Sequence, residues 1–556
     1  MRVLGLQDIS HDSSACLVED GRVTAAVEEE RFTRVKHADG FYYGGDPPAR
    51  AMEWCLSSRG LDLDDVDAVA LGFDIGLAGW YRMTYDVIRY VNAIEPITTK
   101  VRDPDRQDTS SYVEGLVAGY PRRVRWLRSI AKRVGRIVHV PHHTAHAASA
   151  YYASGFDHAA VLVMDGAGER DSTSLFVGRG RELELMERLP ISGSLGLLYD
   201  QVTQILGMGQ FGEGKTMGLA PYGRYDSELG PLTRYQRGRV AINNERIRAA
   251  RRLTRHEGKL TDEHKNLAAT LQTDLEEAAL ALADHLYDRT GLKRLCLAGG
   301  VTLNCSMNGK LLASEHVREV FVQPAANDAG CSVGAALLVA AEEGEPAWTM
   351  THPYLGPGID GDEAERVLRA EGFDAERVDD PAVVAAELLA DGKVVGWVQG
   401  ALEFGPRALG NRSVLADPRD RAMHTRVNEV KRREQWRPLA PSILVEETGK
   451  WFDRNDPSPF MLLTYGVREE RRDEVPAIVH VNGTARLQTV DRRTNPRYHA
   501  LISAFAKETG VPLVLNTSFN DRGEPIVRTP QEAVRTFRGS GMDVLVMDDL
   551  VVRRSA

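Results

Sequence analysis

Apolar positions come in short blocks from the start of the chain, broken by charge and glycine. "RVLGLQ" reads as a strand, "DISHDSS" as a polar loop, and "ACLV" as a second strand. "VTAAV" follows Asp20-Gly21 as a third strand, and an Asp-Gly pair between two apolar runs is a strong hairpin signal. The same order returns in "AAVLVMDGAGERDSTSLFVGRGRELELMERL": strand, polar loop, strand, glycine turn, strand. This predicts an internal structural repeat. Each copy sets a small polar loop between two strands, where backbone N–H groups can face a phosphate. Two such halves predict a duplicated α/β domain of the actin-like, sugar-kinase-like (ASKHA) kind. Further on, "LCLA" reads as a buried strand running into Gly299-Gly300, which would let a flat ligand or phosphate approach the backbone. "QPAANDAGCSVGAALLVAA" then places Asp328 in a loop before a helix of small residues.

Proline, glycine and acidic residues gather in "EEGEPAWTMTHPYLGPGID". The expected division is a domain over residues 1–345, a linker over 346–360 and a second domain over 361–556. In the second domain "KVVGWVQG", "PLVLN" and "DVLVM" read as strands, and "PAVVAAELLADG" and "TPQEAVRTFRGS" as helices, again an α/β pattern.

The length of 556 residues is too great for one core. The net charge of −10 leaves no basic footprint, so no nucleic-acid partner is expected, and a local cluster such as "KRREQWR" needs a local anion. Five cysteines without a CxxC pair fit a reducing cytoplasm. The first residues do not read as a signal peptide, and no apolar run reaches the ~18 residues a membrane helix needs.

Chemistry enters with "PHHTAHAASAYYASG". Pro141 and the alanines after it predict a helix. His142 and His146 then share a face, as in other i,i+4 metal pairs, and His143 is spaced to replace His142. A metal needs at least one more ligand. Asp165 and Asp328 are the candidates, because both follow apolar strands into glycine-rich loops. Two imidazoles and a carboxylate suit Fe(II), Mn or Zn, and the donor set does not choose among them. The other reading is a partly exposed helix with incidental histidines.

Seven segments, in order, cover nearly the whole chain: "SHDSSACLVEDGRVTAAVEEERFTRVKH", "HHTAHAASAYYASG", "GEGKTMGLAPYG", "AGGVTLNCSMNGKLL", "EFGPRALGNRSVLADP", "WRPLAPSIL" and "LNTSFNDRGEPIV". Together they resemble the NodU/TobZ family of O-carbamoyltransferases. The resemblance implies an N-terminal domain like the tRNA threonylcarbamoyl transferases and a YrdC-like C-terminal domain. The latter would make carbamoyladenylate from carbamoyl phosphate and ATP with Mg²⁺; the former would pass the carbamoyl group to a hydroxyl of a small-molecule acceptor. It further implies that His142, His146 and Asp328 bind iron, and that Asp165 belongs with Gly166, Gly299, Gly300 and Asn304 at the nucleotide.

A hydroxyl needs a base to attack at neutral pH, and the resemblance puts that base at His11, whose pKa range suits it. Lys36 and His37 are expected in the same cleft. Lys215 either meets a phosphate or caps a surface loop. In the second domain Arg407, Lys431, Arg437, Arg486, Asn516 and Ser518 are expected to converge on carbamoyl phosphate and ATP. His424, Arg426, Arg432 and Arg433 read as a solvated face. An insertion from Gly72 to about residue 135 carries Trp80, Tyr81, Tyr85 and Tyr90, which either stack on the acceptor or pack a helix. The expected activity is O-carbamoyl transfer in secondary metabolism. The alternatives are (threonyl)carbamoyl transfer to tRNA, which the acidic balance opposes, and a nucleotide-driven regulatory ATPase.

Overall fold

The computed structural model describes residues 1–82, 118–236, 238–255 and 258–554. They form two compact units. The first takes Met1–Glu29 and His37–Met350, the second Glu30–Lys36 and Thr351–Ala556.

The first unit holds strands β1 (Arg2–Gln7), β2 (Ser14–Glu19), β3 (Arg22–Glu28), β4 (Ala68–Leu71), β5 (Ile137–His139), β6 (His158–Met164), β7 (Asp171–Arg179) and β8 (Glu182–Pro190). The pair β9 (Thr233–Gln236) and β10 (Arg239–Ile242) stands apart, and β11 (Arg294–Ala298) and β12 (Glu319–Val322) follow. One five-stranded sheet runs β3-β2-β1-β4-β5 and the other β8-β7-β6-β11-β12. In each, the first three strands in chain order are antiparallel neighbours and the next two add in parallel. The repeat read from the sequence is thus a repeat of topology, and the unit has the duplicated actin-like, sugar-kinase-like architecture. Asp20 and Gly21 make the expected hairpin turn, Gly21 at φ 77°. The loops that carry His11, Gly72, Asp165, Gly299-Gly300 and Asp328 leave the carboxyl ends of β1, β4, β6, β11 and β12.

The second unit is built on a nine-stranded sheet of β13 (Glu376–Arg377), β14 (Val395–Val398), β15 (Arg412–Ala416), β16 (Ala440–Leu444), β17 (Leu463–Gly466), β18 (Thr484–Val490), β19 (Leu513–Ser518), β20 (Val544–Met547) and β21 (Leu550–Arg553). Their order is β13-β21-β20-β14-β15-β19-β16-β18-β17. The expected helices stand at Pro381–Ala390 and Pro530–Gly539.

In residues 346–360, expected as the linker, the backbone is hydrogen-bonded at Met350 and at Gly356. Met350 N–H donates to Ala153 O at 2.9 Å in the first unit, and Gly356 N–H to Leu402 O at 3.0 Å in the second. Lys36 lies in the short segment counted with the second unit, where it is one of the charges near Lys431. All five cysteines are buried and outside disulfides. Among the described residues no helix is long and apolar enough to cross a membrane.

Candidate metal centre and active site

The histidine segment is the helix His142–Ser154, closed by Gly155 in the left-handed conformation at φ 74°. It is buried nearly all round, which the incidental-histidine reading did not expect. Its alanines are there to be approached. A Cβ on Gly334, in the helix Gly330–Glu342, would sit 1.8 Å from Ala145 O, and one on Gly5 would sit 1.9 Å from Ser332 O. Small residues let these helices and β1 close to backbone contact. That packing carries Asp328, two residues ahead of the second helix, onto the histidine face.

There His142 Nε2 and His146 Nε2 lie 3.1 Å apart. Asp328 Oδ1 is 3.6 Å from the first and 3.5 Å from the second. Asp165 Oδ2 is 3.6 Å from His142 Nε2, so Asp165 joins this cluster instead of standing only at a nucleotide loop. Two donors each about 2.1 Å from one ion stand roughly 3.0 Å apart at a right angle and roughly 3.4 Å apart in a tetrahedron. The spacing fits a single divalent ion. Asp328 Oδ1 is buried and accepts no hydrogen bond, a costly state for a carboxylate oxygen without a cation. His142 Nδ1 donates to Gly72 O at 3.2 Å, which leaves the Nε2 lone pair for a metal. His143 does not take part. Its Nδ1 bonds Ser174 Oγ at 2.7 Å, and burial together with the charge of His142 pushes it down to about 3. Sequence reading missed Glu169, whose Oε1 accepts from the backbone N–H groups of His142 (2.8 Å) and Asp74 (3.0 Å) and so caps the helix.

The carboxylates here favour charge on the imidazoles. Burial works most against charge on His146, yet the Cys331 sulfur and Asp328 outweigh it and push it up to about 9. His142 is raised too, against burial, by Cys331 and Asp328. Asp328 is held well below the usual carboxylate range, in spite of burial, by His142 and His11. Ligation needs neutral imidazoles, so ion uptake near pH 7 must displace protons. Apparent affinity for Zn²⁺ or Mn²⁺ should therefore climb with pH up to about 9, and calorimetry in buffers of different ionisation enthalpy should register proton release. An affinity flat between pH 6 and 9 would contradict this electrostatic picture.

The loop after β1 abuts the cluster. Ser10 Oγ donates to Asp328 Oδ2 and accepts from Gln7 Nε2 at 2.7 Å. The next residue is His11, 30% exposed, its Nδ1 on Asp12 Oδ2 at 2.7 Å. Loss of water opposes charge on this ring, but Asp328 and Asp12 push it up to about 10. A bound dication would offset the Asp328 charge and bring His11 down toward the range of a working base. His37 shares Asp12 at 2.9 Å.

Gly300 N–H donates to Asp165 Oδ1 at 2.8 Å. Gly166 has room: a Cβ there would meet nothing closer than Leu197 Cδ2 at 4.0 Å. Gly299 is required by the protein's own backbone: φ is 92°, and a Cβ would lie 2.2 Å from Met164 O. Asn304 caps the helix Cys305–Ala313 and exchanges hydrogen bonds with Gln272, whose Oε1 also takes Tyr199 OH. Lys215 Nζ donates to Met208 O at 2.7 Å. Trp80 is fully buried against Tyr42 and Tyr120, a core residue and not a stacking platform, while Tyr81 is exposed. Tyr85 and Tyr90 lie outside the described residues.

In the second unit, Arg433 was read as solvated and is not. Its Nε donates to Asn428 Oδ1 at 2.5 Å, and Nη2 is buried with no partner. Burial, then Arg437 and Arg486, push its guanidinium down to about 9. Arg486 Nε is likewise buried without a partner. Arg433, Arg437 and Arg486 crowd together here, with the Glu434 carboxylate 3.9 Å from Arg437. Arg426 Nη2 donates to both carboxylate oxygens of Asp543 while the side chain stays 40% exposed, His424 Nε2 bonds Arg437 O at 3.0 Å, and Arg432 is exposed as expected. Lys431 spends three donors on Ser518 O, Asn520 O and Asn520 Oδ1 at 2.5–2.7 Å, tying the loop after β19. Ser518 Oγ also donates to Asn520 Oδ1. Asn516 is buried in a network with Ser442, Gln488 and Ala408 O. Arg407, half-buried, rides a loop whose backbone N–H groups at Leu409, Asn411 and Arg412 all donate to Glu403 Oε1.

Comparison with known proteins adds the following. The family described as Carbamoyltransferase N-terminus matches residues 2–337, and Carbamoyltransferase C-terminus matches residues 386–554. Nodulation protein NolNO of Sinorhizobium fredii is 41% identical over 98% of this chain and 79% of its own. The 3'-hydroxymethylcephem-O-carbamoyltransferase of Streptomyces clavuligerus is 35% identical over 62% of this chain and 65% of its own. Among solved structures, component A of the (R)-2-hydroxyglutaryl-CoA dehydratase of Acidaminococcus fermentans matches 62% of this chain and 98% of that one, at 13% identity and a TM-score of 0.35. That likeness is too loose to add to the strand order already described.

Proposed function

The chain belongs to the carbamoyltransferase family, and from that premise we propose that it is an ATP-dependent O-carbamoyltransferase acting on a hydroxyl of a small molecule. The second unit forms carbamoyladenylate from carbamoyl phosphate and Mg²⁺-ATP: water frees the carbamate as inorganic phosphate leaves, and the carbamate oxygen bonds to the α-phosphorus of ATP as pyrophosphate leaves. The first unit transfers the carbamoyl group, and AMP leaves. The observation that carries the reading is the buried His142, His146, Asp328 and Asp165 cluster, clamped through Ser10 to the loop of His11.

His142, His146, Asp328 and Asp165 would hold the divalent ion, Fe²⁺ by family resemblance. When bound it supplies Lewis acidity and positive charge where oxygen charge builds during acyl transfer. His11 Nε2 takes the acceptor's proton as its oxygen bonds to the carbamoyl carbon and the bond to AMP breaks. Asp165 and Gly300, bonded to each other, border the nucleotide. Arg433, Arg437 and Arg486 bind the dense anions of the first half-reaction.

The test is to incubate labelled carbamoyl phosphate and ATP with a panel of hydroxylated metabolites. One member is a 3'-hydroxymethylcephem, the acceptor that the name of the Streptomyces relative gives. Labelled carbamoyl ester, AMP and pyrophosphate should form together. ATP hydrolysis to ADP without label transfer would refute the reading. Arg433→Lys keeps charge but loses the planar fork, so pyrophosphate release should slow by about 10-fold or more, with Arg433→Met slower still. Unchanged rates in both variants would remove Arg433 from the anion site.

A further inference from the structure

Three non-glycine residues with left-handed backbone meet around His11: Asp12 at φ 58°, His37 at φ 63° and Phe211 at φ 56°. A residue with a Cβ takes that conformation only when its surroundings impose it, and such strain gathers at functional sites. Here backbone bonds impose it. Asp12 N–H donates to His37 O at 2.9 Å, Ser13 N–H to Ala38 O at 3.1 Å, and Gly40 N–H to Ser10 O at 2.7 Å. The two loops are laced together along their length.

The side chains then form a bracket. Asp12 Oδ2 accepts from His11 Nδ1 at 2.7 Å, and Asp12 Oδ1 accepts from His37 Nδ1 at 2.9 Å. Phe211 lies flat on His37, with centroids 3.9 Å apart, and meets the His11 ring edge-on at 5.2 Å. Asp12 itself is buried. In spite of that burial, His37 and the two hydrogen bonds hold its carboxyl well below the usual range, so it is ionised. An ionised carboxylate only accepts. The Nδ1 of His11 must therefore carry hydrogen, and in the neutral ring the lone pair falls on Nε2.

We propose that Asp12 is a positioning residue that fixes the tautomer and direction of His11, and that His37, stacked on Phe211, holds Asp12 in place. This rests on the reading of His11 as the base of the transfer step and goes beyond it by naming how the base is set. The charged groups facing His11 are Asp12, Asp328 and Asp165, with Glu213 facing both imidazoles. Asp12 bonds to a ring nitrogen of each.

Asparagine enters the left-handed region as aspartate does, so Asp12→Asn and His37→Asn keep the backbone. The experiment uses full-length protein labelled with ¹⁵N-histidine, followed by long-range ¹H–¹⁵N spectra from roughly pH 5 to 11, with the His11 signals identified by their loss in His11→Asn. In the wild-type protein, neutral His11 should carry hydrogen on Nδ1. In Asp12→Asn it should titrate at least about one pH unit lower and show mixed tautomers. Transfer to water, or to the best acceptor of the panel, should fall about 100-fold or more in Asp12→Asn and about 10-fold in His37→Asn. Should Asp12→Asn leave the tautomer, the titration and the transfer rate unmoved while His11→Asn abolishes transfer, the bracket is wrong and the base stands. Transfer that survives His11→Asn overturns the base and the bracket with it.

Discussion

Exchanging His146 for alanine should strip the bound divalent ion and slow carbamoyl transfer by about 100- to 1000-fold, with the fold retained. His146 is fully buried, and its Nε2 faces His142 Nε2 and Asp328 Oδ1. Without it, two carboxylates and one imidazole remain, too weak a donor set to hold an ion through purification. The control lies three residues away. His143 is as buried and on the same helix, but its ring is bonded to Ser174. His143→Ala opens a cavity and removes that bond, so it should lower the melting temperature while the ion stays. Elemental analysis of the three proteins separates loss of a ligand from loss of packing. An ion retained at full stoichiometry in His146→Ala would break the assignment.

His11→Asn should remove transfer by about 100- to 10,000-fold while pyrophosphate release from ATP and carbamoyl phosphate persists. The substitution leaves the ring's place in the loop to a smaller polar group, and the contacts that hold this loop, Ser10 to Asp328 and Gly40 N–H to Ser10 O, do not involve the His11 side chain. The proton acceptor is lost, together with the Nδ1 bond to Asp12 and the edge contact with Phe211. Pyrophosphate should then appear without labelled ester. Simultaneous loss of both half-reactions would mean that the two units do not divide the chemistry as proposed.

The duplicated topology was legible because strand, polar loop, strand and glycine turn recur in the same order, and local pattern is what sets a hairpin. The i,i+4 spacing likewise told which faces of His142 and His146 align. Distance was the obstacle elsewhere. Asp328 reaches the histidines through helix packing at Gly334 and Ala145, a contact between residues 189 positions apart in the chain that no local pattern records. Asp165 was drawn toward the nucleotide by family resemblance, although the residues alone left it open as a ligand. Its two oxygens serve both ends, one facing His142 and one taking Gly300 N–H. Arg433 was passed over because a run of charge reads as solvated until burial is known. Trp80 was weighed as a stacking residue because an aromatic looks the same in sequence whether it packs inward or outward. Gly299 was read as making room for a ligand, and the backbone adds its own demand there, since a Cβ would meet Met164 O at 2.2 Å.

The central claim is that four buried side chains grip one divalent cation. Anomalous diffraction from a crystal of the purified protein, collected on both sides of the absorption edge of the metal found by elemental analysis, tests it most directly. The account predicts one peak at roughly 2.0–2.3 Å from the Nε2 atoms of His142 and His146 and from a carboxylate oxygen each of Asp328 and Asp165. A peak elsewhere in the molecule, with these imidazoles hydrogen-bonded to one another and to water, would contradict it.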